Sequence, residues 1–298
     1  MTAAATLDEI DRIHDAEPQR AAAGLRALDA AALPPEQLPL LAFLTMHVLG
    51  EKLGAWEEAA DRLGRLRATR SDAPLAVVAH AAAAAHLAGR SDNPAAAALA
   101  AASSEAEAQL LTALGALGWR PPADATAMAA ELKRLAEASG SIDAAGPLNQ
   151  RLAVGFNNTT SRLLDGAESP VDPILRPALL AGSAAALRFW KSAGTWVNHE
   201  RALYLCALVS NRVGDAAAAR SNCLQALDLI AANGDEPVDR AFLQLQLAGA
   251  LFRLGDAADA QRHLDAARGA AAQWDDAGLK AWFATEHGRL FGAQEGNA

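Results

Sequence analysis

Two stretches of this chain, Tyr204 to Asp215 and Leu245 to Asp256, carry one pattern twice at an offset of 41 residues. Each is an apolar run that leads through an arginine (Arg212, Arg253) to a Gly-Asp pair, Gly214-Asp215 or Gly255-Asp256. Beyond the pair the register holds, with Ala219 matching Ala260, Cys223 matching Leu264 and Ala226 matching Ala267. A unit this small cannot bury its apolar face alone and must stack on its copy, so the duplication restricts the chain to a repeat architecture.

Each unit reads as a helix, a tight turn and a second helix. A glycine closing the first helix takes the left-handed backbone without a Cβ clash. The aspartate after it can accept hydrogen bonds from the next helix's free amides. Ala207 and Ala248 are small residues where two helices would meet Ala219 and Ala260, while Cys206 and Leu247 fill the space beside them.

This pattern resembles the tetratricopeptide repeat, a helix hairpin of ~34 residues. The second copy keeps Leu247, Ala248, Ala260 and Leu264 in family places, with Gln244 for the tryptophan and Leu251 for the tyrosine. In the first copy Leu203 stands for the tryptophan, while Cys206 and Ser210 occupy places where larger residues are the rule. Neither copy ends in the family's proline, and the longer offset implies longer helices. The resemblance covers residues 200 to 268 and implies an all-α fold, an α-α superhelix in which antiparallel hairpins form a right-handed solenoid.

Composition agrees with helices. The chain is 52% apolar but only 5% aromatic, so alanine and leucine, both strong helix formers, dominate. A net charge of −9 argues against nucleic acid, whose binding needs clustered cations. Met1 to Ile10 lacks the basic start of a signal peptide, and the apolar run Ala79 to Ala88 is broken by His80 and His86 and too short for a bilayer. A soluble, cytoplasmic chain without membrane partners is expected. Cys206 and Cys223 fall on facing helices, where they are expected as buried thiols rather than a redox pair.

In chain order, Leu7 to Ala16 reads as an opening helix that Pro18 breaks, and Gln19 to Ala32 as the next. Leu38 to Leu53 is apolar enough for a central helix. Gly54, with Ala59 five residues on and Leu63 after it, is a third, fainter copy of the turn. Alanine-rich helices follow from Pro74 to Leu87 and Pro94 to Ala102, then helices from Ser104 to Leu117 and Pro122 to Ala138. Ser139 to Gly146 is the least helical stretch, dividing N-terminal hairpins (1–140) from C-terminal repeats (147–298) that continue them. Leu148 to Leu164 and Asp172 to Ser192 are the next helices, the latter with Pro177 as a kink. Trp274, Trp282 and Phe283 mark a last hairpin or cap.

In such an array the first helix of each hairpin lines the concave side. Counting from Ala207 and Ala248, that face includes Arg201, Tyr204, Asn211, Arg212, Phe242, Phe252 and Arg253. Asn157 and Asn158 stand mid-helix, where asparagine is a poor choice without a reason. Their amides offer donor and acceptor to an extended peptide, and the arginines can hold a carboxylate. Solvated amides and arginines paired with nearby acids are the plainer alternatives. Phe189 to Arg201, with Trp190, Trp196 and His199, reads as an inter-hairpin joint or a recognition hot spot.

The seven histidines are scattered, and no pair of them with an intervening glutamate forms a zinc-protease helix. There is no phosphate loop, dinucleotide turn or nucleophile elbow. No metal, cofactor or catalytic residue is expected. The reading is a non-enzymatic adaptor that binds a peptide or protein segment in a preformed groove; the alternatives are a ligand-responsive regulatory sensor and, behind it, an enzyme subunit.

Overall fold

Four glycines adopt positive φ among the described residues: Gly54 at 67°, Gly89 at 70°, Gly214 at 89° and Gly255 at 85°. Each closes a helix and begins a reversal. The structure, a computed structural model, describes residues 3–143, 145–168 and 170–295. Every regular element in that range is helical: α1 (Ala3–Ile13), α2 (Pro18–Ala27), α3 (Leu38–Leu44), α4 (Trp56–Thr69), α5 (Leu75–Leu87), α6 (Pro94–Ala102), α7 (Glu105–Trp119), α8 (Ala125–Ser139), α9 (Asn149–Asp165), α10 (Arg176–Ala193), α11 (Trp196–Val213), α12 (Ala216–Asn233), α13 (Pro237–Arg253), α14 (Ala257–Ala272) and α15 (Ala277–Glu295). Two 3-10 turns lie at Ala30–Ala32 and Pro35–Gln37, and a π-helical segment, Thr45–Lys52, prolongs α3. Successive helices pack against their neighbours, as a helical repeat requires.

The chain forms two compact units, Met1–Asp124 with Ala138–Gly155, and Ala125–Glu137 with Phe156–Ala298. The Ser139 to Gly146 stretch, apart from Ala144, which lies outside the described residues, belongs to the first unit.

In the first unit α5 is apolar nearly all round and packs on α3, α4, α6 and α7. Its buried residues are mostly alanines, Ala81 to Ala85 among them, and a helix apolar on every side must sit inside. The Leu38 to Leu53 stretch is also buried along much of its length, as Leu38, Leu41, Leu44, Met46, Val48 and Leu49 show, but it widens into the π segment. Gly50 has no Cβ there, and one would collide with the Trp56 ring. At Gly54 the Ala55 amide reaches back to the Leu49 carbonyl at 2.7 Å, and at Gly89 the Arg90 amide reaches Ala85 at 3.0 Å.

The second unit holds the duplicated hairpins, α11–α12 and α13–α14. Their turns are Schellman motifs: the Asp215 amide donates to the Ser210 carbonyl at 2.8 Å and Gly214 to Asn211 at 3.3 Å, and Asp256 and Gly255 repeat this on Leu251 and Phe252 at 3.0 and 3.1 Å. Asp215 Oδ1 then accepts from the Ala218 amide at 3.0 Å and Asp256 Oδ1 from Asp259 at 3.3 Å, the capping expected of both. Ala207, Ala219, Ala226, Ala248, Ala260 and Ala267 are all buried. Leu203, Leu243, Leu247, Leu251, Cys223 and Ile230 fill one core, and Phe242, Leu245, Leu264, Phe283 and Phe291 fill the next. Both cysteines are free and buried, and burial pushes the Cys206 thiol up to about 11 and the Cys223 thiol higher still.

Two expectations change. Pro177 kinks nothing, because α10 starts at Arg176 and the proline falls in its first turn, where a missing amide hydrogen costs little. The Gln19 to Ala32 helix ends at Ala27 and resumes as the 3-10 turn that Asp29 caps, its Oδ1 accepting from Ala31 at 3.0 Å.

Leu247 is 1% exposed and central to its core, whereas Leu224 on α12 is 40% exposed. Leu247→Ala is expected to lower unfolding free energy by about 2–5 kcal/mol and Leu224→Ala by well under that. Urea denaturation of the two variants checks this, and equal losses would dismiss the core assignment.

Candidate functional site

Alternate helices of the second unit touch as well as successive ones: α11 packs on α13, and α13 on α15. A line of polar side chains runs through these contacts. Arg253 Nη1 donates to the Asn211 backbone carbonyl at 3.1 Å and to its Oδ1 at 2.9 Å. Asn211 Nδ2 donates to the Gln246 carbonyl and to Gln246 Oε1, both at 2.9 Å. Gln246 Nε2 in turn donates to Glu286 Oε2 at 3.3 Å, and Arg289 pairs with Glu286 Oε1. Asn211, Gln246 and Glu286 are buried at 3%, 0% and 1% exposure. The amide of Asn211 uses both of its ends, so its orientation is determined by its partners.

Arg212 stands next to this line. Its Nη2 donates to the Ala167 carbonyl at 2.9 Å, but its Nε and Nη1 are buried without hydrogen-bond partners. Burial first, and the Arg289 charge second, push the Arg212 guanidinium below its ordinary value, while Glu286 and Asp165 draw it back up. Arg253 is exposed as a whole, yet its Nη1 reaches inward; among the described residues no carboxylate pairs with Arg212 or Arg253. Several other arginines among the described residues face acids, as Arg26 does Glu58 and Arg90 does Asp61. The seam therefore gathers three guanidinium groups against Glu286 and Asp165.

The remaining expected site residues divide. Tyr204 packs edge-on against Phe242 and Trp282, with ring centroids 6.3 and 6.5 Å away, and its hydroxyl is buried without a partner. Phe242 is a core residue at 2% exposure, because α15 lays Trp282 on it at 4.2 Å and Phe283 at 5.7 Å. Phe252 is 42% exposed beside Phe291. Arg201 is occupied by acids, with Nε 2.8 Å from Asp239 Oδ2 and Nη2 3.6 Å from Glu236. Asn158 is exposed and Asn157 partly so, and the Asn157 amide reaches Asn158 Oδ1 at 3.4 Å; no hydrogen bond joins either to the seam among the described residues. In the joint before α11, Phe189 is fully buried and Trp196 packs on the core.

Sequence reasoning missed Gln246, Glu286 and Arg289. Gln246 had a signal: it is a lone amide inside the apolar run Phe242 to Phe252. Glu200, which the sequence offered only as part of the Phe189 to Arg201 stretch, is 0% exposed and neither of its oxygens accepts a hydrogen bond among the described residues. Burial, then the Asp239 carboxylate beside it, push the Glu200 carboxyl up to about 8; Glu236 adds to the rise and Arg201 opposes it.

No protein-family model matches the chain, no curated protein is significantly similar to it, and no solved structure matches it.

A carboxyl whose folded value is raised binds a proton that the unfolded chain has released, so its contribution to stability is full below the ordinary glutamate value of 4.5 and is lost as pH rises toward about 8. Glu200→Gln keeps the neutral shape and is expected to flatten that part of the stability profile; urea midpoints across the range measure it, and an unchanged slope would contradict the assignment. Asn211→Ala strands Gln246 and Arg253 groups and should cost about 1–3 kcal/mol, part of which Gln246→Leu returns in the double variant.

Proposed function

We propose that this chain is a non-enzymatic adaptor of the tetratricopeptide-repeat kind, and that its second unit binds a peptide or protein segment through an anionic group. The observation that carries this reading is Arg212: a buried guanidinium with two unpaired nitrogens, set beside Arg289 in a chain whose net charge is −9. A fixed charge held from water is costly when its donors lack acceptors. A carboxylate from a partner supplies acceptors and charge together, and hydrogen bonds of this kind are about twice as strong as neutral ones.

The seam supports the same reading in a second way. Arg253 occupies the place that Arg212 holds one repeat earlier, so a right-handed array would present the two at successive steps along a groove. The hydrogen bonds from Asn211 and Gln246 hold the helices that carry them, and a site already ordered loses little entropy on binding. Asn158 and Phe252, both open to solvent, offer further polar and apolar contacts. Arg201 and Phe242 contribute to the scaffold, since one is engaged by Asp239 and the other is enclosed.

A synthetic peptide array tests the proposal, each peptide made with a free C-terminal carboxylate and as the amide, and with acidic side chains kept or amidated. The native chain is expected to retain a subset that carries carboxylates. Arg212→Gln with Arg253→Gln, at unchanged helicity, should weaken those spots by about 1.5–3 kcal/mol, tenfold or more. Equal retention of acids and amides, or indifference to the double substitution, would remove this reading.

A further inference from the structure

In the first unit the fold brings together two histidines that lie 33 residues apart in the sequence, His14 just after α1 and His47 in the π segment. Asp15 lies between them. His47 Nε2 is 3.2 Å from Asp15 Oδ1 and His14 Nε2 is 3.3 Å from Asp15 Oδ2. One donor atom from each of the three residues lies within 4.8 Å of the others. Their far sides are also engaged. His47 Nδ1 meets Glu51 Oε2 at 2.8 Å, and His14 Nδ1 meets the Asp11 carbonyl.

Every ring nitrogen of the two histidines faces an oxygen acceptor, Nδ1 toward Glu51 or the Asp11 carbonyl and Nε2 toward Asp15. A metal ligand presents a bare nitrogen, so a cation held between the rings and Asp15 would take the place of hydrogen on Nε2, while the outer partners keep the hydrogen on Nδ1. With bonds of about 2.0–2.1 Å, two ligands of a tetrahedral zinc ion are separated by about 3.3 Å. The two Asp15–imidazole distances already match that spacing, and the three donor atoms all lie within 4.8 Å of one another. The carboxylate of Glu51 behind His47 is the outer partner that metal-bound histidines commonly have, orienting the ring and raising its basicity.

Packing makes the arrangement rigid. Phe43 stacks on the His47 ring with centroids 5.7 Å apart and planes 5° from parallel, and His14 meets His47 edge-on at 5.1 Å. The two imidazoles are largely buried while Asp15 is open to solvent, with side-chain exposures of 19%, 15% and 68%. Such a site has an interior formed by two rings and an entrance on the carboxylate side. Local π-helical widening of this sort is frequent where a helix carries a functional side chain.

We propose that His14, His47 and Asp15 form a binding site for a divalent transition cation of the zinc class, with Glu51 as the outer partner of His47 and a fourth position left to water. Two imidazoles with one carboxylate suit zinc, cobalt or nickel, whereas magnesium and calcium favour oxygen ligands throughout. Lys52 is the resident competitor: its Nζ lies 2.9 Å from Asp15 Oδ1, and its charge opposes an incoming cation. Removing that charge should therefore tighten metal binding, an effect that a purely structural cluster of ion pairs would not show.

The test uses the full, tag-free chain, stripped with a chelator and titrated with Co²⁺ followed by visible absorption, with Zn²⁺ calorimetry in parallel. Expected are the ligand-field bands of four-coordinate cobalt, saturation at one equivalent, and displacement by Zn²⁺. His47→Ala should abolish the bands, Glu51→Gln should weaken affinity by about 10–100-fold, and Lys52→Met should strengthen it. Circular dichroism of the metal-free variants separates lost ligands from lost fold, and Lys52→Met reports even if His47→Ala unfolds. No bands in the native chain, bands that survive His47→Ala, or weaker or unchanged binding in Lys52→Met would overturn the site; His86→Ala, outside the cluster, should leave all readings alone.

Discussion

Close approach of alanine-lined helices is the constraint on which the second unit rests. Ala207, Ala219, Ala226, Ala248, Ala260 and Ala267 are all buried at the meeting places of α11 to α14. A methyl group lets two backbones come near, but it buries little area and defines little shape. An interface made this way gains dispersion from the backbones and has few interlocking side chains to oppose sliding. The larger residues of the two cores, among them Leu247, Leu251 and Phe242, restore bulk between the hairpins.

The polar seam meets the same weakness differently. Asn211, Gln246 and Glu286 are directional where alanine is not, and a displacement of one turn would strand every donor in the line. Buried amides of this kind can select one register at some cost in stability. The cationic excess of the seam then follows from its position, since Arg212 and Arg253 stand in the last turns of α11 and α13 and Arg289 follows Glu286 by one turn on α15. Scaffold and proposed recognition surface are thus made from one row of residues.

What could be read from the sequence was what lies close in sequence. The turns at Gly214 and Gly255, with their aspartate caps, are local chemistry, and so were legible. Asn211, Arg212 and Arg253 were identified by their place on a helix face. Gln246 and Glu286 were not, because their partners lie 35 and 40 residues away and alanine, at home inside or outside, blurs which face is buried. Phe242 looked like a groove residue until α15 was known to lie over it. Glu200 with Asp239, and His14 with His47, are pairs that only packing assembles; their separate residues are unremarkable in the text of the chain.

The Schellman turns have a consequence for how such an array can change in length. At Gly214-Asp215 and Gly255-Asp256 the last carbonyls and first amides are answered within the turn itself. Each junction is therefore self-contained, and a block running from one aspartate to the next glycine could be gained or lost with both ends meeting in an unchanged joint. The seam, with the Arg201–Asp239 pair beside it, records which hairpin follows which, so the order of the modules is written in side chains such as Asn211, Gln246 and Glu286 rather than in the turns that connect them.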